Sequence, residues 1–229
     1  MKILIVSPLD YTGIAYYSHS LSWTLCERGH DVTLVTTGLD IIDKRGNRYN
    51  TLRFFKDTYG NLSIAKKGVN YTVAMLRLLL LIMKSRFKTV HFQLMDLPPL
   101  DAVFFLLLKL LNIRIVFTPH DVASLKDRRL NRYLSIMYKV SDTIIVHNKA
   151  NRERLLKEFG IEERKTIIIP HGNYNYFLTD VGRASSRTKL GLPANKVIML
   201  FFGNVRYGKG LDVLVSAFPL IKKHEDFLL

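Results

Sequence analysis

The chain has 229 residues, 48% of them hydrophobic, and 34 Lys and Arg against 19 Asp and Glu, for a net charge of +15. That apolar content fills a sizeable core and excludes a disordered chain, while the single cysteine, Cys26, excludes an internal disulfide or a cysteine-built metal site and fits a reducing compartment. The excess of cations favours polyanionic partners: nucleic acid, an anionic membrane face or phosphorylated substrates.

Met1 runs straight into KILIVS before Pro8, a short apolar run that reads as a first strand, Lys2 to Val6, rather than a secretory signal. Ile14 to Arg28 has helical spacing and ends at Gly29, a helix C-cap residue. Asp31 to Thr36 is a second strand. Residues 38–50 are polar and read as an excursion, and Thr51 to Phe55 is a short strand. Lys66 to Ser85 is a long helix, Lys88 to Gln93 a strand, and Pro98-Pro99 opens a helix that runs to Leu111. The apolar stretches Val73 to Met83 and Ala102 to Leu111 are broken by Arg77 and Lys109. Both fall short of the roughly 18 apolar residues of a membrane span. They read as core-facing helices, with an amphipathic, membrane-lying face as the alternative because Lys66, Lys67, Lys84, Arg86 and Lys88 flank the first.

Ile113 to Thr118 is a strand, Leu130 to Val140 a helix, Thr143 to Val146 a strand, Asn148 to Phe159 a helix closed by Gly160, and Thr166 to Ile169 a strand halted by Pro170. Leu178 to Asn195, with Gly182, Ser185, Ser186, Gly191 and Pro193, is the linker candidate. Val197 to Phe202 reads as a buried strand, followed by a glycine-and-cation turn and a helix carrying Leu211, Leu214, Val215 and Phe218. Strands alternating with helices, several apolar on both faces, predict an α/β, Rossmann-like parallel sheet flanked by helices. The predicted organisation is a first domain over 1–177, a linker over 178–195, and at 196–229 the opening of a second, incomplete Rossmann-like domain.

Ligands of such sheets bind beyond the carboxyl ends of the strands, so the turns there carry the chemistry. After the first strand come Asp10-Tyr11-Thr12-Gly13. One glycine does not make the GxGxxG of a dinucleotide site, but Gly13 lets a helix N-terminus approach a sugar or phosphate. After the strand at 113–118 come His120 and Asp121. A histidine on that edge can bond a sugar hydroxyl or a diphosphate, or serve structurally, and Asp121 orients it or caps the next segment. His147-Asn148-Lys149 reads as a capped, solvated helix start, and Pro170-His171-Gly172 puts another histidine on the edge. The last turn, Gly203 to Gly210, sits between strand and helix with Arg206 and Lys209. Helix N–H groups, the partial positive end of the helix and two full charges suit a phosphate. Gly203 to Lys209 also matches the front of a P-loop, but Gly210 stands where that motif needs Ser or Thr for magnesium, which argues against Mg-NTPase chemistry. There is no CxxC, HExxH or GxSxG, and the aromatic residues are not interleaved with basic ones as a nucleic-acid stacking surface requires, so no nucleic-acid partner is expected.

These pieces resemble the amino-terminal part of a GT-B glycosyltransferase of family 4, the retaining, nucleotide-sugar-dependent group. Arg28-Gly29-His30 with Val32-Thr33 resembles the family's RGHxVT pattern, FTPHDV its strand-end histidine, VHNKANRERLLKEFGI its late strand and helix, IIIPHGNYNYF its crossing segment, and FFGNVRYGKGLDVLVSAF, with GxxRxxKG, the opening of its second domain. The resemblance implies a hexose-type transferase using a nucleotide diphosphate sugar and a glycan or lipid-linked acceptor. Implied catalytic residues are His120, Arg206 and Lys209. Implied donor contacts are Gly13, Gly203, Arg206, Lys209 and Gly210, and implied acceptor contacts are Tyr11, Thr12, His120, Asp121 and His171. No metal and no cofactor are expected. Family members are longer and carry a paired-glutamate segment absent here, so the expectation is a truncated chain, with a non-catalytic acceptor-, membrane- or partner-binding domain as the rival. The expected location is cytoplasmic, at the inner face of an anionic membrane.

Overall fold

The computed structural model describes residues 1–8, 13–37, 48–56, 58, 61–123, 128–173, 181–203, 205, 209–221 and 227–228. It divides into two compact units, Met1–Tyr176 and Phe177–Leu229.

In the first unit the chain alternates β1 (Lys2–Ser7), α1 (Gly13–Glu27), β2 (Asp31–Thr36), β3 (Asn50–Leu52), α2 (Ile64–Ser85), β4 (Thr89–Phe92), α3 (Pro98–Leu110), β5 (Arg114–Phe117), α4 (Asn131–Val140), β6 (Thr143–Val146), α5 (Lys149–Phe159) and β7 (Thr166–Ile168). The sheet order is β3-β2-β1-β4-β5-β6-β7, and every described pairing is parallel. The order reverses direction at the β1–β4 junction, where such sheets open a crevice at their carboxyl edge. The Rossmann-like parallel sheet expected from the alternation is the sheet observed.

Side chains of a strand alternate between its faces, and β1 uses both. Leu4 and Val6 join the larger core with Val90, Phe92, Ile115, Phe117, Ile144 and Val146, under Leu78, Phe105, Tyr138 and Leu155 of α2 to α5. Ile3 and Ile5 join Val32, Leu34 and Tyr49 on the other face, against Leu21, Trp23 and Leu25 of α1. Each fully buried Leu, Ile or Phe adds roughly 1.5–3 kcal/mol of transfer free energy. Asp142 ties three elements: its carboxylate accepts from Ile115 N of β5 at 2.8 Å and from Lys109 Nζ of α3, just ahead of β6.

Helix α2 is apolar on two sides. Tyr71, Ala74, Met75, Leu78 and Ile82 are buried in the core. Val69, Val73, Leu76, Leu80 and Met83 form an exposed stripe. By length and composition α2 is the one described helix long and apolar enough to cross a membrane. Its buried face nevertheless belongs to the core of the sheet.

The second unit contains α6 (Arg183–Lys189), β8 (Val197–Ile198), α7 (Leu211–Ile221) and β9 (Phe227–Leu228), with β8 and β9 paired in parallel as a β-α-β unit. Two readings change here. The linker predicted over 178–195 contains the helix α6, held to the chain beyond it by Arg187, which donates to the carbonyls of Ala194 and Lys196. The run Val197 to Phe202 is a two-residue strand and is not buried. Leu200 and Phe202 are 79% and 92% exposed. Among the described residues of this unit no apolar layer covers them, and hydrophobicity without a partner surface does not bury a strand.

Candidate functional site

Four neighbouring strands each deliver one polar side chain to the carboxyl edge of the sheet. Gln93 follows β4, His120 lies three residues after β5, His147 directly follows β6, and His171 lies three residues after β7. Helix α1 begins at the half-buried Gly13 beyond β1, and its first turn brings Tyr17 into the group. Ser18 fixes α1 to β1 by donating its hydroxyl to Ser7 Oγ at 3.0 Å, both side chains buried. The centroids of His120, His147 and His171 each lie 5.2 Å from that of Tyr17. His147 is 5.2 Å from His120 and 5.0 Å from His171.

A hydrogen-bonded row backs this cluster. The strand alternation that sends Val90 and Phe92 into the larger core turns His91 to the opposite face, where it is 6% exposed. Its Nε2 lies 2.8 Å from Thr118 Oγ1 and 3.4 Å from Gln93 Nε2. The Gln93 amide donates to His91, and its Oε1 faces His120 Nε2 at 3.4 Å. The network therefore places the His120 proton on Nε2. Desolvation pulls both rings down, His91 and His120 each to about 4, with neighbouring imidazoles adding to the effect. At neutral pH both are uncharged. His147 is also lowered, first by desolvation and then by His171, while its bond to Ile169 works the other way. Its Nδ1–H donates to the Ile169 carbonyl at 2.9 Å. Its Nε2 is buried and has no hydrogen-bond partner among the described residues.

Beside the cluster, α1 and the segment after β7 enclose a groove of about 350 Å³ lined by Tyr17, Ser20, Thr24, Ile169, His171 and Asn173. A second hollow of about 280 Å³, lined by Ser20, Trp23, Thr24, Glu27 and Asn173, shares three of those residues. Trp23 donates Nε1–H to Glu27 at 2.9 Å, and the Arg48 guanidinium lies 4.9 Å from its ring.

In the second unit, Gly203 and Gly210 have φ of 137° and 72°, conformations that side-chain-bearing residues rarely adopt. Gly210 closes the turn onto α7, its carbonyl accepting from Leu214 N at 2.9 Å, and Lys209 beside it is exposed.

Of the residues singled out from sequence, His120 and His171 therefore meet on one edge, and Gly13 begins the helix that contributes Tyr17. Asp121 is exposed, and the side chain holding the His120 ring is Gln93. Tyr11, Thr12 and Arg206 lie outside the described residues. His147 reads from sequence only as part of a capped helix start, and Tyr17, His91 and Gln93 are not indicated by sequence at all. The signal available was a polar residue within three positions of each of four apolar strands. Among the described residues no group of three or more His, Cys, Asp or Glu is placed to hold a metal ion.

A doubly wound parallel sheet with its polar groups gathered at the carboxyl edge defines the class as Rossmann-like, of the GT-B type. Solved structures share the fold. A sucrose-phosphate synthase from Thermosynechococcus elongatus superposes with a TM-score of 0.74 at 20% identity, over 96% of this chain and 60% of that one. A glycosyltransferase from Rickettsia africae does so with a TM-score of 0.68 at 22% identity, over 97% and 57%. The family follows from sequence: the pattern of Glycosyltransferase Family 4 matches residues 11–172, and the chain belongs to that family. Among curated relatives, the D-inositol 3-phosphate glycosyltransferase of Kineococcus radiotolerans is 32% identical over 80 residues, 34% of this chain and 18% of that protein. That of Streptomyces avermitilis is 30% identical over 82 residues, 35% of this chain and 18% of that protein. The chain thus matches about a fifth of the length of these relatives.

Proposed function

We propose that the protein acts in retaining glycosyl transfer, moving a hexose-type sugar from a nucleoside diphosphate sugar to a glycan or lipid-linked acceptor. The observation that carries the reading is the pair of uncharged imidazoles, His91 and His120, toward the carboxyl edge of a family 4 sheet. A neutral His120, its Nε2–H already committed to Gln93, offers its other nitrogen to a sugar hydroxyl without bringing a charge to the reacting carbon. Breaking the sugar–diphosphate bond leaves negative charge on the departing phosphate. Arg206, Lys209 and the N-terminus of α7 are assigned to that charge, an electrostatic role with no metal or cofactor required. The names of the curated relatives make a phosphorylated polyol a further acceptor to test. The exposed stripe of α2 and its flanking lysines support attachment to the inner, anionic face of a membrane.

The test is donor turnover by the 229-residue chain against a panel of nucleoside diphosphate sugars, with and without glycan, lipid-linked and polyol acceptors and with EDTA present. Turnover that falls at least tenfold in both His120→Ala and Lys209→Ala supports the reading. Equal turnover in Lys209→Ala removes that residue from the mechanism. No turnover in any arm, with acceptor still bound, favours a binding module instead.

A further inference from the structure

We infer that the groove between the ends of α2 and α3 is a binding site for one anionic phospholipid, its acyl chain lying along the apolar lining and its phosphate held between Arg86 and Lys88. The inference rests on the membrane attachment proposed above for the source of the ligand, and on four observations of its own.

The first is the groove itself. It measures about 520 Å³, more than either hollow beside α1. Ile82, Met83, Phe87, Leu111 and Ile113 give it an apolar lining, and among the described residues no acidic side chain lines it. Lys88 and Ile113 directly precede β4 and β5, so the groove opens at the amino edge of the sheet, opposite the edge that carries His120. It is no part of the transfer site. The second is charge. Arg86 and Lys88 line the groove, are exposed, and form no ion pair among the described residues. Lys2, whose Nζ lies 5.0 Å over the Phe87 ring, adds a third cation beside them. The ends of α2 and α3 bring roughly half a negative charge each, less than these full charges, so the balance at the mouth selects an anion. The third is the backbone. Among the described residues, Arg86 and Asn112 are the only ones other than glycine with positive φ, at 54° and 57°, and both line this groove. Arg86 is the C-cap of α2, the position that Gly160 fills in α5. Asn enters the left-handed region readily, and Arg does so only at a conformational cost, which fits a residue kept there for its guanidinium. The fourth is continuity. Met83 belongs both to the groove and to the exposed stripe of Val69, Val73, Leu76 and Leu80. A helix lying on a bilayer by that stripe brings the mouth of the groove to the headgroup layer, where long cationic side chains reach phosphate. A free anion leaves the apolar lining in water, and an uncharged chain leaves the cations unmet. A phospholipid with an anionic head meets both.

The experiment is methyl and guanidinium NMR on the full 229-residue chain, titrated separately with dihexanoyl phosphatidylglycerol below its micelle threshold, dihexanoyl phosphatidylcholine and inorganic phosphate. The phosphatidylglycerol is expected to move the Met83 and Ile113 methyls and the Arg86 side chain together. The phosphatidylcholine binds several-fold more weakly, and phosphate leaves the methyls unmoved. Arg86→Gln combined with Lys88→Gln weakens phosphatidylglycerol binding by about tenfold or more and leaves the urea midpoint nearly unchanged, since both side chains are exposed. Arg86→Gly removes one cation and relaxes the backbone, so it weakens binding several-fold while raising the urea midpoint. A role confined to capping α2 predicts the midpoint change with no loss of binding, and that result overturns the inference. So do methyls unmoved by phosphatidylglycerol, equal binding by the double variant, or a response to phosphate equal to that of the lipid, which would make the groove an anion site. Co-sedimentation with phosphatidylglycerol vesicles separates this inference from the reading it rests on. A groove that responds in a chain that ignores vesicles leaves the lipid site standing and removes the membrane attachment, and vesicle binding with a silent groove does the reverse.

Discussion

Burial sets the charge of His91 and His120 before any ligand arrives. His91 and His120 titrate at about 4 in the folded protein. A free imidazole titrates near 6.5, so between these values the unfolded chain holds protons that the folded chain does not. Stability is therefore complete above about pH 6.5 and is lost as the pH falls toward 4. Between about pH 7 and about pH 5 the two rings are expected to remove roughly 2–4 kcal/mol, less whatever their mutual repulsion shares between them. Urea unfolding at the two pH values measures this. His91→Asn should roughly halve the loss, and an acid-independent unfolding free energy would sink the argument. Asp101 is opposite in sign. Burial raises its carboxyl well above the usual range, outweighing the bonds it accepts from Tyr71 Oη at 2.8 Å and Leu97 N at 2.9 Å. Sequence indicated His120 and His171 because each lies just beyond an apolar strand. It did not indicate Gln93, whose role exists only because β4 and β5 are neighbours, a fact of sheet order and not of spacing.

Among the elements, helix ends were the most legible feature. The sequence marks Asn148 as an N-cap, and its Oδ1 accepts from Asn151 N at 2.7 Å with Gly160 in the left-handed region at the other end of α5. Asn148→Ala should cost about 1 kcal/mol of stability, read from a urea midpoint shift without change in slope. A shift indistinguishable from zero would mean that solvent caps the helix equally well. Strand β2 matches its predicted bounds, Asp31–Thr36, because apolar residues run between a glycine cap and a polar excursion. The failure at Val197 to Phe202 has a physical cause: a run of apolar residues predicts a strand only if another layer covers it, and sequence periodicity says nothing of that layer. Helix α2 illustrates the converse. One apolar face is spent on the core, and Val69, Val73, Leu76, Leu80 and Met83 remain exposed. Replacing Leu76 and Leu80 by Ser should leave the unfolding midpoint nearly unchanged, since neither is buried. It should reduce co-sedimentation with anionic liposomes several-fold at low salt. Binding unaffected by the double change, or absent in the unaltered protein, would remove the membrane from the proposal.

At the scale of the whole molecule, buried apolar contact is unequally shared. Among the described residues, those of the extensive core all lie in the first unit, while Val197, Leu200, Phe202, Val205, Val213, Val215 and Leu220 of the second are exposed. Local opening free energy follows buried contact. Amides of β1, β4 and β5 should therefore exchange with solvent only on global unfolding, and those of α6 and α7 should exchange orders of magnitude faster in the same sample. Equal protection in both units would contradict this. The fold class was legible because alternation of strand and helix is written locally. The site was legible only in fragments, because four strand ends separated by some eighty residues of sequence become neighbours through the order β1-β4-β5-β6-β7.

Trp23, the only tryptophan in the chain, lines the hollow that shares Ser20, Thr24 and Asn173 with the groove beside His171. Its indole sits against Arg48, and the ring of His19 lies 6.1 Å away. Indole emission responds to the polarity and charge of what surrounds it. The molecule thus carries its own lamp: light from one ring, with no label attached, reports on what occupies the space between α1 and the exit of β7.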